Sequence, residues 1–439
     1  MRRHFANAAY GILDYGAYPI GMLVVAPLLL RNLGIAEFGV WTVAAAAVSI
    51  GGILASGFGD ANIQHIASMR GAGDREAPLR AVRSMMGINL ALGVTFAVIG
   101  WMFSPIAAAH VAGADPALLH SCLWSLRIAC VLMVVRAVES VCISTQRAFE
   151  RYGDAIRISI VARLLALVAS AGLTFLIHSV VLIMAATGLL LSAGLVLQLM
   201  RLRRFLSAKS LLPAFDRSAM HALLGFGAFS WLQAISGVVF SQVDRLMLGV
   251  SLGATAVASY ALCAQMAQPI CGFAQSGLHF LFPYLSNRNA APNSIQRPIL
   301  IAFACNLVFV ALTSISLFLL GDRILRAWAG AAVAQGAAPV MSLIILSSAL
   351  LGLNVTATYA LLALGRVRIV TGFNLAGGLL MLFILIYLTP RLGIQGIAIA
   401  RVSYTLIPLC LYFPLLRHLF KKQVRQGSIS ALQPVGEQP

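Results

Sequence analysis

Long apolar runs alternate with short polar breaks along the whole chain. The runs fall at about 9–30, 38–58, 85–103, 118–142, 156–177, 179–199, 223–243, 257–283, 299–320, 338–364, 369–388 and 394–416. A helix needs about 20 residues to cross a hydrocarbon core, and lipid offers no partner to an open backbone, so each run predicts a membrane-spanning helix. Strands of an outer-membrane barrel would instead alternate over about ten residues, and no such alternation occurs. One division needs an argument. As a single helix at 1.5 Å per residue, Ile158 to Met200 would be about 65 Å long, roughly twice the hydrocarbon thickness. It must fold back, and His178-Ser179 is the polar break near its middle. The pattern predicts an all-α integral membrane protein with about twelve transmembrane helices.

The break Leu33-Gly34-Ile35-Ala36-Glu37-Phe38-Gly39-Val40-Trp41 predicts a tight hairpin between the first two spans. Half a chain later the pattern returns as Leu252-Gly253-Ala254-Thr255-Ala256-Val257-Ala258-Ser259-Tyr260. Aligning Leu33-Gly34 with Leu252-Gly253 sets Trp41 against Tyr260, Gly39 against Ala258 and Asp14 against Gln233. This spacing is expected of two six-helix lobes related by a parallel repeat, with chance similarity between two membrane hairpins as the competing explanation. The boundaries then read as a first lobe over 1–200, a basic linker over 201–222, a second lobe over 223–418 and a disordered tail over 419–439.

Composition narrows the class. With 60% hydrophobic and 10% charged residues, the chain is too apolar for a soluble protein. The net charge of +18 lies at span ends rather than in one patch interleaved with aromatics, so it points to membrane topology and not to nucleic acid. With both termini in the cytoplasm, 22 of the 31 basic residues fall on the cytoplasmic side. Five (Arg31, Arg245, Arg323, Arg326, Arg391) fall outside, and four lie within spans. Missing one span would invert every later loop and destroy that bias. The Arg2-Arg3 start reads as a retained first helix rather than a cleaved signal. All seven cysteines sit in or beside apolar runs without CxxC spacing, and read as small buried apolar residues.

Ionisable groups inside spans are costly, which makes them the candidates for function. Asp14 in the first span is a candidate for ion coupling, against pairing with a nearby arginine at the interface. Arg127, Arg136 and Glu139 in the fourth span, Arg163 in the fifth and Arg401 in the twelfth put cations at several depths. Such a ladder suits an anion crossing the membrane, above all a pyrophosphate, whose oxygens a guanidinium binds in a fork. The competing readings are an Arg136–Glu139 pair at i, i+3, and snorkelling of Arg163 and Arg401 to an interface. Asp244-Arg245 reads as an interfacial ion pair. Gln233 and Gln265 suit sugar hydroxyls, or hydrogen bonds between helices. The chain has no Walker loop, HExxH, GxSxG or metal-ligand cluster, so neither a cofactor nor an ATP-driven pump is supported. Its loops are too short to carry a catalytic domain, so no enzyme is indicated.

The hairpin Leu33-Gly34 to Trp41, the segment Gly57-Phe58-Gly59-Asp60-Ala61-Asn62, Gly71-Ala72-Gly73-Asp74, Gln146-Arg147-Ala148-Phe149-Glu150-Arg151-Tyr152-Gly153, and Phe226-Gly227 through Tyr260 resemble polysaccharide biosynthesis flippases. These belong to the multidrug, oligosaccharidyl-lipid and polysaccharide exporter superfamily. The resemblance implies two six-helix lobes in a V around a central cavity. It also implies movement of a polyprenyl-pyrophosphate-linked oligosaccharide to the periplasmic leaflet of a bacterial inner membrane. Membrane lipid, glycosyltransferases and a polysaccharide polymerase would be its partners. Related members often carry an acid before the Gly57 motif, where this chain has Ala55-Ser56, leaving Asp14 as the nearest intramembrane acid. An ion-coupled multidrug antiporter of the same fold is the alternative, and would call for a less cationic, more aromatic and acidic cavity.

Overall fold

The computed structural model describes residues 2–59, 62–63, 65–66, 76–149, 151–214, 231–232, 235, 237, 239–278 and 293–417, without side-chain detail at 2–17 and at several positions flanking the gaps between these ranges. These residues form thirteen α-helices and one π-helical segment. The first half holds α1 (Arg2–Leu33), α2 (Ile35–Ser56), α3 (Glu76–Ala112), α4 (Pro116–Ala148), α5 (Tyr152–Leu176) and α6 (Val180–Phe205). In the second half, the π segment Val239–Val243 leads into α7 (Asp244–Leu252). There follow α8 (Ala254–Leu278), α9 (Asn293–Ala329), the short α10 (Ala331–Ala337), α11 (Met341–Ala363), α12 (Val367–Leu392) and α13 (Ile394–Leu409).

Eight of the described helices are long and apolar enough to cross a membrane. All twelve expected runs contain helical residues, although most of the seventh lies outside the described residues. Ile158 to Met200 does fold back, with α5 ending at Leu176 and α6 starting at Val180.

The two hairpins break for the same reason. Gly34 has φ 83° and ψ 167°, Gly253 φ 81° and ψ 176°, a conformation in which a side chain is strained. The α3–α4 turn works differently. Asp115 Oδ1 accepts the backbone N–H groups of Ala117 at 2.9 Å and Leu118 at 3.3 Å, and Pro116 supplies the first helical residue.

Small residues let the halves approach closely. A Cβ built on Gly39 of α2 would lie 2.0 Å from the Ala254 carbonyl oxygen at the start of α8. One on Gly249 of α7 would lie 2.9 Å from Val43 and 3.3 Å from Val111. The helix ends that carry the Gly34 and Gly253 turns are therefore pressed together, as membrane helices require when packing rather than water exclusion drives association. Trp328 Nε1 adds a hydrogen bond across the halves, donated to the Leu23 carbonyl at 2.8 Å. Facing lipid, α3 and α9 expose large apolar side chains such as Phe103, Ile106, Leu312 and Phe318. Five of the seven cysteines are buried, while Cys305 and Cys410 are exposed on apolar helices. The expectation that all seven are buried fails there, because an apolar residue in a membrane is equally at home against lipid.

Candidate functional site

Helical spacing sorts the arginines of α4. Arg127 and Arg136 are nine residues apart, two and a half turns at 3.6 residues per turn, and so leave the helix on opposite sides. Arg136 and Glu139 are three apart and share a face. Arg136 Nη1 makes an ion pair with Glu139 Oε2. The other Glu139 oxygen accepts from Ser159 Oγ of α5 at 2.6 Å, and Gln198 Nε2 of α6 lies 3.4 Å away. One turn further along α5, Arg163 Nη2 donates to Ser159 Oγ at 2.7 Å. Arg136, Glu139, Ser159 and Arg163 thus form a continuous chain in which two guanidinium charges share one buried carboxylate.

This chain borders a cavity of 410 Å³ enclosed by α1, α2, α4, α5 and α6. Arg136 and Arg163 line it together with Tyr18, Ser49, Ser170 and Thr187, against an apolar wall that includes Trp41, Leu132, Leu167 and Met184. The Ser170 and Thr187 hydroxyls are 3.2 Å apart and join α5 to α6. The volume falls in the range of sites that hold a small ligand, and the two guanidinium groups are of a kind that can bind an anion. The cavity lies within the first six helices.

Arg401 is placed elsewhere. It donates from Nη1 to Asp244 Oδ2 at 2.6 Å, and the Tyr260 hydroxyl donates to the same oxygen at 2.6 Å. The remaining Asp244 oxygen accepts the Arg245 backbone N–H at 2.8 Å. Asp244 is fully buried, so the expected interfacial Asp244–Arg245 side-chain pair is replaced by an internal Asp244–Arg401 pair joining α7 to α13. Nor does Arg401 snorkel, since its partner lies inside the bundle.

Arg127 does not join the ladder either. Its guanidinium sits 5.0 Å from the Trp101 ring centroid and 5.2 Å from that of Trp124, on the side of α4 away from the cavity. Gln265 is half-buried on α8, and its Nε2 is buried with no hydrogen-bond partner among the described residues. Gln233 and the side chain of Asp14 lie outside the described residues. Charge alone does not point to Ser49, Ser170 and Thr187, which stand in the sequence as isolated hydroxyls in apolar runs. Tyr18 stands out there only as a neighbour of Asp14.

The sequence matches the polysaccharide biosynthesis protein family over residues 6–288, and the chain belongs to that family. No curated protein matches the sequence. Among solved structures, the chain is similar to the lipid II flippase MurJ in an inward closed conformation, with TM-score 0.71 and 14% identity, covering 93% of this chain and 87% of that one. It is also similar to a multidrug resistance MATE family transporter of the MOP superfamily in an inward-facing conformation, with TM-score 0.70 and 14% identity, covering 93% and 95%. An outward-facing MATE transporter of the same superfamily matches with TM-score 0.54 at 14% identity, covering 96% and 97%. The fold is MATE-like, and the chain is a multi-pass membrane protein.

Proposed function

We propose that this protein moves a polyprenyl-pyrophosphate-linked oligosaccharide from the cytoplasmic to the periplasmic leaflet of a bacterial inner membrane by alternating access, for surface polysaccharide synthesis. Both termini are cytoplasmic in this reading, and residues 1–200 and 223–418 are the two moving lobes. The observation that carries it is the cavity lined by both Arg136 and Arg163, which stand beside the Ser49, Ser170 and Thr187 hydroxyls. A diphosphate accepts guanidinium forks, while the polyprenyl chain stays in lipid. Three further points support the reading: the family match, the similarity to a lipid II flippase, and the higher TM-score against inward-facing than outward-facing relatives. In the proposed orientation the tight Gly39–Ala254 contact closes the periplasmic side. Opening that contact is the step that would release product.

The test follows the lipid-linked glycan in cells lacking the protein and complemented with wild type, Arg136→Ala or Arg163→Ala. The expected result is glycan held on the cytoplasmic face, rescued by wild type and not by the variants. Normal surface glycan with new sensitivity to cationic drugs would overturn this reading in favour of a drug antiporter.

A further inference from the structure

Among the described residues, Arg127 forms no hydrogen bond or ion pair, and its Nε is buried without a partner. Its guanidinium is held between two indoles, Trp101 of α3 at 5.0 Å and Trp124 of α4 at 5.2 Å. Both tryptophans are exposed, at 42% and 41%, on an end of α3 and α4 where Met102, Phe103 and Ile106 are exposed as well. This is a lipid-facing surface, and a cation at membrane depth is costly unless something outside the protein neutralises it.

The depth indicates what does so. With 37 and 33 residues, α3 and α4 are about 55 and 50 Å long, against a hydrocarbon core of about 30 Å, so both extend beyond the core. Trp101 precedes Ala112, the end of α3, by the same eleven residues that separate Arg127 from Pro116, the start of α4. Both therefore lie about 16 Å along their helices from the Gly113 turn, inside the apolar runs 85–103 and 118–142 and in the half of each nearer that turn, the side toward which tryptophans gather and arginines reach. His120, one turn above Trp124 with ring centroids 6.3 Å apart, continues the same face of α4 toward water. Stacking fixes the guanidinium plane and leaves its N–H groups for an acceptor, and each indole adds an N–H donor.

We infer that Arg127, clamped between Trp101 and Trp124, is a lipid-phosphate site on the outer surface of the α3–α4 hairpin, separate from the cavity of Arg136 and Arg163. Its ligand is the phosphate of a membrane lipid, supplied either by a phospholipid headgroup or by a polyprenyl phosphate. The periplasmic assignment of this face rests on the orientation proposed above, whereas the binding itself does not.

The test is native mass spectrometry of the purified full-length protein titrated separately with phosphatidylglycerol, a polyprenyl phosphate and diacylglycerol. Wild type is expected to take up one phosphate-bearing lipid that Arg127→Gln binds at least tenfold more weakly, with no comparable difference for diacylglycerol. Arg127→Lys, which keeps the charge but not the planar stack, should fall between. Trp124→Phe guards against misfolding of the charge variant and should weaken binding several-fold. If phosphatidylglycerol alone shows the loss, the headgroup is the source, and if the polyprenyl phosphate alone does, the carrier is. Equal binding of both phosphates by wild type and Arg127→Gln would overturn the site. Failure of the glycan assay would leave this measurement unaffected.

Discussion

The two halves of the molecule each bury an arginine against a carboxylate and use it in opposite ways. In the second half, Asp244 has Arg401, the Tyr260 hydroxyl and a backbone N–H around it, and the charges cancel with every carboxylate oxygen satisfied. In the first half, Glu139 serves both Arg136 and, through Ser159, Arg163, and the two guanidinium groups border a 410 Å³ cavity. A network sealed in the interior holds helices together, whereas one beside a cavity is open to a ligand. Asp244–Arg401 therefore reads as structural, and Arg136 and Arg163 are the pair on which the proposed function rests.

The largest effect should come from unbalancing the balanced side. Asp244→Ala leaves Arg401 buried without its counterion, and breaking such a pair costs about 3 kcal/mol or more. Thermal unfolding in detergent should show a clear fall in midpoint. Asp244→Ala combined with Arg401→Met should recover most of it, because removing both charges abolishes the desolvation penalty. A double variant no more stable than Asp244→Ala would refute the structural role.

Next in size, and opposite in kind, is Arg163→Ala. Losing one charged hydrogen-bond donor to a phosphate should weaken binding of a soluble diphosphate analogue about 10- to 100-fold, measured by calorimetry. Stability should move by less than about 1 kcal/mol, since Glu139 keeps Arg136 and Ser159. Tyr260→Phe removes one donor to Asp244 and should cost about 1 kcal/mol in the same unfolding assay, with diphosphate binding unchanged.

Legibility in the sequence divides along the same line. Much that is local is readable there: the apolar runs, the fold-back at His178-Ser179, the tight turns at Gly34 and Gly253, and the Arg136–Glu139 pair at i, i+3, although the adjacent Asp244 and Arg245 do not pair through their side chains as expected. The spacing of Arg127 and Arg136 is readable too, since nine residues are two and a half turns and set the two on opposite sides of one helix. The Asp244–Arg401 pair is not, because 157 residues intervene and only the packing of α7 against α13 brings them together. Nor can the sequence reveal that the arginine-lined cavity lies within the first six helices, since that depends on which faces of α1, α2, α4, α5 and α6 turn inward.

The smallest expected effect is the most discriminating, because it is a gain. Glu139→Gln keeps the size of the side chain and an acceptor for Ser159, but removes the carboxylate charge paired with Arg136, which competes with a ligand. In a partly buried site, one fewer carboxylate should strengthen binding of a diphosphate analogue by a few-fold, of the order of 1 kcal/mol, and the gain should shrink as salt is raised. The same substitution logic applied to the other network, Asp244→Asn, gives no gain, because Arg401 does not line the cavity and its unbalanced charge only destabilises. Parallel titrations of the two variants over a salt series would separate the roles. A gain in Glu139→Gln alone fits an anion site held in check by Glu139, and a loss in both would make the two networks equally structural.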